Sequence, residues 1–252
     1  MMTKRIAVAG KGGTGKTTLS ALLIRHLIEN NPGKSILAVD ADANANLNEA
    51  LGVEVYKTIG TILEDTKKPD AVPTGMTKDI FIESQLMQAM VEEDAFDLVV
   101  MGNPQGPGCY CYPNDLLKRY LEKLSKNYDY MVIDNEAGLE HLSRRLLPMI
   151  DLLIVTSDAT ARGIRSAGRV KDIVENVQIA VSKMGLVIGR SREGDSTQLD
   201  QEIKKSGLEL FGEVPLDPLV SEYDLNAKAL FNLPKESPAV KASEELFGKL
   251  NL

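Results

Sequence analysis

The chain has 252 residues, enough for one large α/β domain with a buried core and too few for two ordinary domains plus linkers, so 1–252 reads as a single domain. A net charge of −7 without any block of lysine and arginine leaves no electrostatic footprint for nucleic acid or anionic lipid, and points to proteins and small ions as partners. Two cysteines are too few for a secreted disulfide scaffold, the stretch 146–155 is broken by Pro148 and Asp151, and no cleavable signal precedes the first strand, so a cytoplasmic protein without a membrane span is expected.

Apolar Arg5–Ala9 predicts the first strand and amphipathic Thr17–Glu29 the helix after it. Between them runs Gly10-Lys11-Gly12-Gly13-Thr14-Gly15-Lys16-Thr17. Its glycines let successive N–H groups turn inward around a phosphate, Lys16 reaches the β and γ oxygens, and Thr17 offers a hydroxyl to Mg²⁺, all at the positive end of a helix. Gly12, Gly13, Thr14, Gly15, Lys16, Thr17 and Thr18 are therefore the nucleotide-binding candidates. Lys11 is surplus to this cradle, because one subunit needs no second lysine to hold nucleotide.

The next predicted strand, Ser35–Asp40, runs into Asp40-Ala41-Asp42, two carboxylates whose side chains share a direction if the strand continues, which suits Mg²⁺ and water. Tyr56–Glu93 is polar and irregular, and is expected to be a helical excursion before the strand Phe96–Met101. Beyond that strand, Gly106-Pro107-Gly108-Cys109-Tyr110-Cys111-Tyr112-Pro113 sets two thiols in a loop that can aim both sulfurs at one ion. Soft thiolates suit zinc, copper(I), nickel or an iron–sulfur cluster, and a twofold dimer would supply the four ligands that a stable site wants. Spacing alone also allows two small loop residues or a strained disulfide.

A helix is predicted over Pro113–Lys126, then a strand, Tyr130–Asp134, that ends in an acid. Asp134 is placed to hold Mg²⁺ through water, and the Gly138 N–H to sense the γ-phosphate so that the loop from Asn135 to His141 changes shape with nucleotide state. His141 closes this switch and is a candidate relay; His26, inside the first helix, reads as a packing or surface residue. Strands over Leu152–Thr156, Met184–Ile188 and Glu209–Val214, the helix Ile164–Val177 and an amphipathic C-terminal segment, Pro238–Leu252, complete the chain. Near-continuous apolar strands alternating with helices predict a three-layer α/β fold, a mostly parallel sheet flanked by helices, with ligand beyond the carboxyl ends of the strands.

The segment Gly10–Thr18 is similar to the phosphate loop of the deviant Walker A group of P-loop ATPases, to which MinD and the nitrogenase iron protein belong. The resemblance implies a homodimer in which Lys11 crosses to the phosphates of the other subunit. It further implies that Asp42 positions the attacking water with Asp40 near the metal, and that Arg190 with Pro215, Leu216 and Asp217 encloses the base. A preference for ATP over GTP comes from the resemblance alone. The chain departs from the group at Ala43, where many relatives carry proline, and at Gly189, where relatives usually have an asparagine that reads the base edge.

With Cys109 and Cys111 added, the chain resembles, over nearly its whole length, the nickel-insertion ATPases that mature carbon monoxide dehydrogenase and acetyl-CoA synthase. That implies one Ni²⁺ or Zn²⁺ held between subunits by the cysteines of both, a cycle driven by ATP and Mg²⁺, and a nickel client enzyme as partner. Three other functions stay open on the same fold: an ATP-driven iron–sulfur reductase, a positioning or partition ATPase, and a metabolic ligase or kinase.

Overall fold

The computed structural model describes residues 3–68, 70–103, 111–136 and 149–252. In chain order its elements are β1 (Lys4–Gly10), α1 (Lys16–Asn30), β2 (Ile36–Ala41), α2 (Leu47–Leu51), α3 (Ile59–Asp65), α4 (Lys78–Ala89), β3 (Val91–Glu92), β4 (Asp97–Val100) and α5 (Cys111–Leu124). They continue with β5 (Tyr130–Asn135), β6 (Met149–Asp158), α6 (Ala161–Asn176), β7 (Ala180–Ser191), α7 (Asp195–Gln198), α8 (Asp200–Ser206), β8 (Glu209–Pro215), α9 (Pro218–Leu225) and α10 (Pro238–Lys249). The strands form one sheet in the order β3-β4-β2-β5-β1-β6-β7-β8, parallel throughout except for the β3–β4 pair.

Side chains alternate across the pleat, and β1 shows how this makes three layers. Ile6 and Val8 pack with Leu23 and Leu27 of α1 and Phe247 of α10 on one face. Ala7 and Ala9 pack with Leu121 of α5 and Ile164 and Val170 of α6 on the other. Both faces of the central strands are dry, which is why these runs are apolar without polar alternation.

The predicted elements are present, with longer strands on one side. β6 and β7 extend beyond the apolar runs 152–156 and 184–188, because their leading residues pair with each other from Met149–Ala180 onward despite the polar Asp151, Ser182 and Lys183; Asp151 accepts the Arg5 N–H through Oδ2 at 2.7 Å. The excursion 56–93 contains α3 and α4. Thr58 and Thr61 close a reciprocal cap on α3, while Ile59, Ile62, Ile82 and Leu86 are buried. The two-residue edge strand β3 is too short for any periodic signal. His26 is a packing residue: its ring lies 5.3 Å from that of Phe247, and Nε2 is 3.3 Å from the carbonyl of Leu252. Among the described residues no helix is long and apolar enough to cross a membrane.

Candidate functional site

The phosphate loop leaves β1 through Gly10, whose φ of +149° disfavours any side chain. A Cβ there would lie 2.4 Å from the carbonyl oxygen of Thr156 on the neighbouring strand. The Thr14 hydroxyl donates to the Lys11 carbonyl at 2.7 Å and lies 2.7 Å from the Thr156 hydroxyl, and Lys16 Nζ donates to the same Lys11 carbonyl at 3.4 Å. The loop is thus closed on itself and tied to the sheet. Gly15, at φ +85°, turns the chain into α1, and no side chain caps the first turn of that helix, so its N–H groups face the loop's hollow. Such an end attracts an anion through both its free donors and its dipole.

Behind the loop stand the two strand-end acids, which are register partners across β2 and β5. Asp134 accepts from Ser20 Oγ at 3.1 Å, with the Thr17 hydroxyl close enough to favour its charged form. Burial pushes its carboxyl up to about 6, against the opposing pull of Thr17, Lys16 and Ser20. A hydroxyl beside a carboxylate at the phosphate end is a hard oxygen donor set of the kind Mg²⁺ takes.

Asp40 is fully buried, and burial raises it to about 7. Its Oδ1 accepts the Asp42 N–H and its Oδ2 the Leu47 N–H, both at 2.9 Å. Strand β2 stops at Ala41, so Asp40 and Asp42 do not share a direction as a continued strand would require. Asp40 instead holds the loop that carries Asp42 into the cavity, where Asp42 Oδ1 accepts from the Asn44 N–H at 2.8 Å and from its amide at 3.0 Å. Burial lowers the pKa of Lys16, opposed by Asp134, Asp42 and Glu136.

These raised carboxyls set a pH dependence. Their folded pKa values lie above the unfolded value, so the folded state binds these protons more tightly, and the two groups' contribution to stability is fully present below about pH 4 and is lost as pH rises through about 6 to 7. Nucleotide-free protein should therefore show a higher urea midpoint at pH 5 than at pH 8. Asp134→Asn, which removes one of the two buried ionisations, should flatten that slope; an unchanged slope would mean that these acids are hydrated.

The cavity, about 410 Å³, runs from Gly12, Gly13, Thr14, Gly15, Lys16, Thr17 and Thr18 to Arg190, Pro215, Leu216 and Asp217. Val187, Val214 and Val220 give its far end apolar walls. A Cβ on Gly189 would sit 2.9 Å from the Thr14 carbonyl, so an asparagine there would press on the phosphate loop. Asp217 lines the cavity, yet its carboxylate is spent on structure: it accepts from the Leu219 N–H at 2.9 Å, the Ala239 N–H at 3.1 Å and the Ser237 hydroxyl. It caps α9 and pins the start of α10 to the loop Pro215–Leu216.

Lys11 is exposed and does not line this cavity. Gly138, His141 and Cys109 lie outside the described residues, as does the side chain of Cys111, whose backbone is the first residue of α5. Among the described residues no group of three or more His, Cys, Asp or Glu is placed to hold a metal ion. Ser20 and Thr156 were not foreseen as site residues. Ser20, one turn beyond Lys16 on α1, was open to detection by helical spacing, whereas nothing in the sequence marks Thr156.

The family described as CobQ/CobB/MinD/ParA nucleotide binding domain matches residues 6–230. An ATP-binding protein of Methanocaldococcus jannaschii described as uncharacterized is 42% identical over 97% of both chains. The carbon monoxide dehydrogenase accessory protein CooC of Rhodospirillum rubrum is 26% identical, covering 94% of this chain and 92% of its own. In fold, the septum site-determining protein MinD of Pyrococcus horikoshii complexed with Mg-ADP is similar at a TM-score of 0.72 and 22% identity, over 99% of this chain and 96% of that one.

Proposed function

The chain belongs to the CobQ/CobB/MinD/ParA nucleotide-binding domain family, and on that premise we propose that this ATPase is a metallochaperone. It dimerises with ATP, carries Ni²⁺ or Zn²⁺ between subunits on Cys109 and Cys111, and assists nickel insertion into a client of the carbon monoxide dehydrogenase or acetyl-CoA synthase kind. What supports this reading is where the chain ends β4: β4 runs parallel to β2, so its carboxyl end points to the same edge of the sheet as the phosphate loop and Asp42, and the cysteine pair follows in sequence before α5. The similarity to CooC over 94% of the chain supports it.

When bound, Mg²⁺ neutralises charge on the phosphates. The chain supplies the rest. Thr17 and Asp134 are the residues to hold that ion, Lys16 and the first turn of α1 hold the phosphates, and Asp42, aimed by Asp40, orients water for attack. Cargo is tied to this cycle through the dimer, which both ATP and ligation by the thiolates of two subunits would favour.

Equilibrium dialysis with Ni²⁺ and with Zn²⁺ tests the reading. One ion per dimer is expected, with affinity falling as pH drops below the thiol pKa, since ligation releases protons. Cys109→Ser or Cys111→Ser should lose most of the metal while still binding nucleotide. Undiminished binding by the double serine variant, or one tight ion per monomer, refutes it. A second reading, a positioning ATPase, is favoured by the MinD-like fold. Binding to DNA or to lipid vesicles in place of metal would establish that one, and a brown chromophore would instead mark an iron–sulfur reductase.

A further inference from the structure

Helix α6 pays out its amphipathic pattern in an unusual way. Ile164, Ala167, Val170 and Val174 turn inward, and the opposite face presents Arg162, Arg165 and Arg169, three exposed arginines at helical spacing. Two of them stand in the first half of the helix, which carries no acidic residue in its first turn, so their charge adds to the helix's positive end. Arg165 meets Glu202 of α8 at 3.1 Å, but Glu202 is shared with Lys205 at 3.4 Å. Arg162 and Arg169 pair with no carboxylate among the described residues. Local stability does not account for such a stripe, and in a chain of net charge −7 it is a local reversal of sign.

We propose that the Arg162–Arg165–Arg169 face of α6 is a docking surface for a short acidic segment of another protein. The stripe is about 10 Å long at 1.5 Å per residue. Carboxylates bracket the stripe, Asp158 before the helix and Asp172 and Glu175 in its second half, Glu175 paired with Lys171 at 2.6 Å, with Glu202 alongside. A duplex or a membrane extending past three arginines would meet these acids, whereas a segment with two or three carboxylates fits between them. The position joins it to the nucleotide site: α6 follows β6, whose Thr156 hydroxyl touches Thr14 of the phosphate loop at 2.7 Å. A docked partner therefore sits beside the nucleotide face. The inference stands apart from the cysteine reading and survives its failure.

The test is fluorescence anisotropy with a fluorescein-labelled hexaglutamate peptide, at low salt and at about 0.3 M salt, where screening shortens the reach of exposed charges. Wild-type protein should bind it, more weakly at high salt. Arg162→Gln/Arg169→Gln should weaken binding by about tenfold and Arg162→Glu/Arg169→Glu should abolish it, with ATP turnover unchanged in both. Lys204→Gln/Lys205→Gln on α8 should bind like wild type. No binding by wild type, or equal binding by the arginine variants, overturns the proposal. So does tighter binding of a short DNA duplex or of phosphatidylserine vesicles that the same variants release, which would make the stripe a nucleic-acid or lipid contact.

Discussion

Lys11→Ala should leave ATP bound and lower its turnover by roughly 10³ to 10⁵, the worth of a cationic finger at a transferring phosphoryl group. The Lys11 carbonyl is fixed by the Thr14 hydroxyl and the Lys16 ammonium, yet the residue is exposed and does not line its own subunit's cavity. In the proposed dimer Lys11 reaches the phosphates held by the second copy. Turnover should rise faster than linearly with protein concentration. A mixture of Lys11→Ala with Asp42→Ala should regain activity that neither has alone, since a mixed dimer holds one site with its own Asp42 and its neighbour's Lys11. Wild-type turnover by Lys11→Ala, or no recovery in the mixture, refutes the exchange.

Lys16→Ala should lose ATP affinity itself, by roughly 10² to 10³-fold or about 3–4 kcal/mol, the usual cost of truncating one partner of a buried, hydrogen-bonded charge pair. Lys16 is buried to 7% exposure, and desolvation lowers its pKa, so the ammonium is held in a medium where a phosphate partner counts for more than in water. Asp134 and Asp42 balance it meanwhile. Titration calorimetry with Mg-ATP distinguishes this from the Lys11 variant, which should bind normally. Near-normal affinity in Lys16→Ala would place the phosphates elsewhere in the cavity.

The layers of the fold were legible because periodicity reports burial, and burial on both faces of β1, β2, β5 and β6 leaves an unbroken apolar run. The phosphate loop was legible because its glycines and lysine are tied to one another by backbone geometry at fixed spacing. What sequence could not tell was long-range. That β2 stops at Ala41, turning Asp40 from a neighbour of Asp42 into the holder of its loop, depends on the Leu47 N–H six residues beyond. That Asp217 is committed to Ser237 and Ala239 depends on where α10 docks. The crowding of Gly189 against Thr14 gives a steric reason for a departure that residues alone only register.

The strand order carries a consequence for biosynthesis. β1 is made first, but its two neighbours, β5 and β6, begin at Tyr130 and Met149. At about 5 to 20 residues per second, the strand bearing the phosphate loop waits roughly 7 to 30 seconds on the ribosome before both edges can be closed. During that interval α1 can cover Ile6 and Val8, but Ala7 and Ala9 lack the residues of α6 that pack on them, so a nascent chain stalled before residue 130 should be prone to aggregation and a good substrate for a chaperone.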